Sequence, residues 1–144
     1  MKSTRLKTRI AGTAAAVAVL GGASLAMAPG AAAKANLISI ERAQLHGDVL
    51  SVTVKYSCDT GLKWQLVSKM TKVEKGKETK SVATGAVAAD KIICDFNDRV
   101  LTVKLRPTKG SHFVKGDQVK VTANYVAPGE KDDERPIAVI TTKL

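Results

Sequence analysis

Val49-Leu50-Ser51-Val52-Thr53-Val54-Lys55-Tyr56-Ser57-Cys58 is the stretch on which the fold turns. Val52, Val54, Tyr56 and Cys58 fall on one side of an extended chain, and Ser51, Thr53, Lys55 and Ser57 fall on the other. A period of two sustained over ten residues is the mark of a strand with one buried face, because successive side chains of a β-strand point to opposite sides. His46-Gly47-Asp48 before it reads as a turn, and Leu37-Ile38-Ser39-Ile40 before that reads as a short strand.

The same alternation recurs downstream. Trp64, Leu66 and Met70 alternate with Lys63, Gln65 and Lys69. Ser81 to Val87 is rich in β-branched and small residues, and Ile92-Ile93-Cys94 is a compact apolar run. Leu101, Val103 and Leu105 alternate with Thr102, Lys104 and Arg106 up to Pro107, which cannot donate to a ladder. Val119, Val121, Ala123 and Tyr125 form another strand pattern, and Ile137 to Leu144 a last one. No apolar repeat of 3.6 residues is long enough for a helix. Seven or eight short strands separated by turns define an all-β domain, a sandwich or a barrel, and a bridge between two inward-facing cysteines favours the sandwich. The expected core is Val52, Val54, Tyr56, Leu66, Leu101, Val103, Leu105, Val119, Val121 and Tyr125, with Trp64 packed into it for volume.

The chain has two cysteines, Cys58 and Cys94. Cys58 lies on the inward face of its strand and Cys94 follows two isoleucines, so a bridge between them is expected to pin one sheet to the other. Closing that loop removes about 3.8 kcal/mol of unfolded-chain entropy. Neither cysteine stands in a Cys-x-x-Cys motif, which makes a redox or nucleophilic role the lesser reading.

A strand pair with one inter-sheet bridge is similar to the immunoglobulin-like fold, although true immunoglobulin domains space their cysteines farther apart and set their core Trp farther from the first. An Ala-rich leader, Tyr56-Ser57-Cys58, Cys94-Asp95, and Phe113-Val114-Lys115-Gly116-Asp117 before a late strand follow one another along the chain. In these the chain more closely resembles small secreted immunoglobulin-like β-sandwich proteins of actinobacteria. The resemblance implies the fold and brings no activity with it.

The first 35 residues differ in kind. Lys2, Arg5, Lys7 and Arg9 precede an uncharged stretch from Ile10 to Ala28, followed by Pro29-Gly30 and small residues. This is the pattern of a secretory signal peptide, with cleavage expected near Ala35 or Ala33. The mature domain is then 36–144, a secreted protein without stable membrane insertion, in a compartment where disulfides persist. The leader holds five of the 23 basic residues and none of the 13 acidic ones, so export lowers the net charge from +10 to +5.

Signals for chemistry are few. His46 and His112 stand in polar turns without metal-ligand spacing, and no Gly-x-Ser-x-Gly elbow is present. Asp95-Phe96-Asn97-Asp98 offers calcium-like oxygens, but Arg99 occupies the third ligand position, and an Asx turn explains the run better. The expectation is a non-enzymatic domain with no cofactor and no metal.

The one distinctive cluster is Lys69, Lys72, Lys75, Lys77 and Lys80, offset only by Glu74 and Glu78. On a projecting hairpin it would attract an anionic envelope polymer or an extracellular protein through charge. Its blander role is to keep a soluble hairpin from pairing edge to edge. Nucleic acid is the weakest of the polyanion readings, since no aromatic residues accompany the lysines. The alternative function is a protease inhibitor presenting the loop from Pro107 to Gly116, with Arg106, Lys109 and Lys115 as specificity residues.

Overall fold

The computed structural model describes residues 36–129 and 137–144; the expected signal peptide, residues 1–35, and the acidic 130–136 segment lie outside the described residues. Seven strands make up the domain: β1 (Leu37–His46), β2 (Val49–Ser57), β3 (Gln65–Glu74), β4 (Lys77–Val87), β5 (Arg99–Pro107), β6 (Gln118–Val126) and β7 (Ile137–Lys143). A single 3-10 turn, Ala89–Lys91, interrupts the link from β4 to β5. All neighbours are antiparallel, in the order β1-β2-β5-β4-β3-β6-β7.

The sheet is continuous yet folded in two. β5 pairs with β2 from Arg99 to Leu105 but meets β4 only at Ala83↔Pro107 and Thr84↔Arg106. Beyond that junction the sheet turns back on itself, so that β1 lies over β6 and β7 while β3 faces β5. One layer is therefore β1, β2 and β5, the other β4, β3, β6 and β7, which makes the domain a β-sandwich.

Gly85 sets the fold line. A Cβ at this position would stand 2.2 Å from the Lys104 carbonyl oxygen and 2.9 Å from Leu105 Cδ2. Any side chain here would strike backbone, so only glycine lets β5 pass directly under the inner face of β4.

Between the layers, Val52, Val54, Leu66, Met70, Val103, Val119 and Val121 are fully buried, and Leu50 and Tyr125 are almost so. Nine of the ten expected core residues are buried. Leu101 is only half-buried, because it faces the opening left where β4 and β5 part. Trp64 just precedes β3 and is also half-buried; it packs on the core with its ring 5.6 Å from that of Tyr125.

Tyr125 ties the layers together. From β6 its hydroxyl donates to the carbonyls of Ser57 (3.1 Å) and Leu37 (3.3 Å) across the sandwich. Burial pushes that hydroxyl far above the usual tyrosine range.

Cys58 and Cys94 are bonded, with Cα atoms 4.7 Å apart. Cys58 is buried directly after β2, whereas Cys94 is half-buried on the segment that crosses from β4 to β5. The bridge thus pins the crossover to the end of β2 and does not join two facing strands. For the same reason Ile92-Ile93-Cys94 is no strand: Ile92 is buried, Ile93 is exposed, and the Ile93 N–H donates to the Tyr56 hydroxyl at 3.3 Å.

Two further elements depart from the sequence reading. β1 runs on to His46 because a bulge between Ile40 and Arg42 shifts the inward face from Ile38 and Ile40 to Ala43 and Leu45. The lysine-rich tip is also paired strand almost throughout. Its turn is only Lys75-Gly76, with φ of +49° and +75°, the double left-handed geometry of a two-residue hairpin.

Replacement of Gly85 by Ala is expected to cost at least about 1–3 kcal/mol in chemical denaturation, since the displaced atom is backbone. Ala86→Gly, one residue along the exposed side, should cost less than about 1 kcal/mol. Equal stability of Gly85→Ala and wild type would contradict the fold line.

Candidate functional site

The five nominated lysines do not form one projecting ribbon. β3 is a central strand, paired with β6 from Gln65 to Val73 and with β4 from Leu66 to Glu74, apart from an irregularity at Lys72. Lys69, Lys75, Lys77 and Lys80 are exposed. Lys72 has a structural role. Its ammonium lies 3.1 Å from Asp117 and 3.3 Å from Glu74, with its side chain only 18% exposed.

Asp117, just before β6, is the hub of that end of the sandwich. Its carboxylate takes the Lys72 ammonium and the Val114 N–H at 2.8 Å, and its backbone carbonyl takes the Leu144 N–H. Burial alone would raise its pKa. The Val114 N–H and Lys72 outweigh burial and hold the carboxyl below its ordinary value.

The calcium-like run is an Asx turn locked by an ion pair. Asp95 accepts from the Asn97 backbone and side chain, and from Arg99 at both Nε (3.2 Å) and Nη2 (2.6 Å). Arg99 first, then Asn97, keeps the Asp95 carboxyl well below the usual carboxylate range. With both oxygens engaged, this carboxylate serves the turn. Among the described residues no cluster of three His, Cys, Asp or Glu is placed to hold a metal ion.

Ser111, His112 and Asp48 line one shallow depression of about 180 Å³. The Ser111 hydroxyl accepts from the Val82 N–H at 2.8 Å and shares a hydrogen bond with Thr108, so it fastens the 108–111 turn to β4. Nearby Phe113 is buried, which draws the inhibitor-like loop down onto the sandwich.

The site that the fold itself assembles lies where β4 and β5 separate. A cleft of about 740 Å³ opens there, walled by Thr84 to Ala88 on one side and by Leu101, Thr102, Lys104 and Arg106 on the other. Lys91, Lys104 and Arg106 stand around it, all exposed, and among the described residues no carboxylate lines it. Among the described residues none of the three enters an ion pair. Lys69 continues this basic surface, because Thr84 pairs with Lys69 on one side and Arg106 on the other. Two strand spacings, about 9.6 Å, separate the backbone positions of those two residues. By contrast Lys120, on the same face, is neutralised by Glu78 at 2.6 Å.

Sequence reading nominated Lys69 in the lysine cluster and Arg106 only as a residue of the inhibitor-like loop, and it missed Lys91 and Lys104. Lys104 and Arg106 were visible as the outward face of β5, but nothing in the order of residues shows that β4 leaves β5 beside them or that Lys91 returns there. Among the described residues no helix is long and apolar enough to cross a membrane.

The Asp117 hub yields a pH test. Because its pKa is depressed on folding, its contribution is complete above the unfolded value of about 3.9 and is lost as pH falls through the lower folded value. Asp117→Asn should cost about 1–3 kcal/mol at pH 7, and its deficit against wild type should shrink below about pH 4. A deficit constant from pH 7 to pH 2 would refute the assignment. No family model matches the chain, and neither a curated protein nor a solved structure gives a significant match.

Proposed function

We propose that the mature chain is a secreted, non-enzymatic binding domain of immunoglobulin-like type, and that it holds an anionic extracellular partner against the basic cleft between β4 and β5. The observation that carries this reading is the gathering of Lys91, Lys104 and Arg106 around one opening with no described carboxylate to answer them. Four cations outside the cleft are held in ion pairs: Lys55 with Asp98, Lys72 with Asp117, Arg99 with Asp95 and Lys120 with Glu78. Uncompensated cations beside low-dielectric walls focus a positive field and raise the local concentration of anions. An excess of +5 on residues 36–144 supports the same sign of partner.

The lysines of the β3–β4 hairpin join this reading as an extension through Lys69; Lys72 leaves it, being bound to Asp117. The inhibitor reading has less to rest on, since Ser111 and Phe113 hold the 107–116 loop close to the sandwich.

Retention on immobilised teichoic acid or heparin tests the reading. Wild type should elute at a salt concentration well above that of Lys91→Gln/Lys104→Gln/Arg106→Gln. The variant should also lose about two to three powers in the salt dependence of binding. Lys75→Gln/Lys77→Gln, at the hairpin tip, should shift elution less. Co-elution of the cleft variant with wild type would overturn the proposal.

A further inference from the structure

The cleft offers more than charge. In a strand, the N–H and C=O of one residue point to the same side and alternate from residue to residue. The Lys104 carbonyl oxygen points at β4, where it abuts the position of a Gly85 side chain. By that alternation the main-chain groups of Val100 and Thr102 face the same way, whereas those of Leu101, Val103 and Leu105 face β2 and pair there. β4 pairs with β5 only up to Thr84↔Arg106, so among the described residues no strand pairs with the β4-facing side of Val100 or Thr102. Both are exposed, Val100 at 64%. At Thr102 the cleft is therefore bordered by an open strand edge, its N–H and C=O unpaired by any described strand, which runs on to Val100 and is flanked by Lys104 and Arg106.

We infer that the open edge of β5 receives an extended acidic polypeptide as an added strand. This rests on the anionic-partner reading and names the partner's chemistry. A strand edge is complementary to another backbone in a way that a sugar-phosphate chain is not, since it presents donors and acceptors at the repeat of a polypeptide. The cations fit the same repeat. Lys104 and Arg106 lie on one face of β5, about 6.8 Å apart along the strand, which is the spacing of alternate residues in any strand laid beside it. Acidic residues at alternate positions would then meet them as cross-strand pairs of opposite charge. The cleft of about 740 Å³ falls within the size of ordinary ligand sites. In the absence of a partner, the same lysine and arginine blunt the edge against pairing with a second, equally basic copy.

The test uses a labelled ten-residue peptide of alternating Glu and Thr, measured by fluorescence anisotropy on the protein spanning 36–144. Two further versions carry N-methyl groups on every Thr or on every Glu, keeping all carboxylates while removing alternate backbone donors. One of the two should bind at least about tenfold more weakly than the parent, and the other should bind close to it. Thr102→Pro removes a donor that faces the cleft and leaves the β2 ladder intact. It should weaken the parent peptide by a similar factor without changing retention on heparin. Lys104→Gln/Arg106→Gln should weaken both. If both N-methylated peptides bind as well as the parent, strand addition is wrong. If the parent fails to bind while heparin is retained, this inference fails and the anionic-partner reading stands. If neither peptide nor heparin binds wild type, both fall.

Discussion

The absence of a side chain at Gly85 is the constraint on which the rest of the structure depends. A seven-stranded antiparallel sheet of this length cannot bury one face by itself; it has to fold over and become its own partner. Folding requires one strand to leave its neighbour and pass beneath it, and that needs a contact between backbones too close for a Cβ. Gly85 supplies it against the Lys104 carbonyl. From that crossing follow the short β4–β5 junction, the placing of β1 over β6 and β7, and the burial of the valines between the layers.

What the crossing opens, the disulfide confines. The segment from Ala88 to Asp98 must carry the chain from one layer to the other without strand pairing of its own. It is held by the Cys58–Cys94 bridge, by the Tyr56 hydroxyl on the Ile93 N–H, by the Phe96 N–H on the Cys58 carbonyl, and by the Asp95–Arg99 pair. Phe96 adopts a left-handed backbone, with φ of +63°, and its side chain is about half exposed. Such a conformation is costly for a bulky residue and persists where its surroundings over-determine it, as these four ties do. The ordering of the crossover fixes where β5 begins and keeps Lys91 at the mouth of the cleft.

Much of this was legible in the sequence where one rule sufficed. The alternation of Val52, Val54 and Tyr56 gave β2 and its inward face, and the two cysteines gave the bridge. Places where two rules compete were not legible. β1 changes its inward parity at Glu41, so a period-two reading stops at Ile40 although the strand continues. The polar run around Lys72 looks like a loop, yet Lys72 is a closing residue of the sandwich because Asp117, 45 positions later, neutralises it. Leu101 has the alternation of a core residue, and only the departure of β4 leaves it half-covered. The candidate site was least legible of all, since its cations come from β5 and from the crossover, and their meeting depends on a register that no local pattern encodes.

The fold thus leaves one of its own strand edges open beside three cations that no described carboxylate pairs, and the functional reading rests on that edge being free. Amide hydrogen exchange of the folded, unliganded domain measures it directly. The amides of Leu101 and Val103, bonded to β2, should be protected, while those of Val100 and Thr102, in the same strand, should exchange at least about a hundredfold faster. Equal protection of all four would show that the β5 edge is covered in the native state, and would contradict the account.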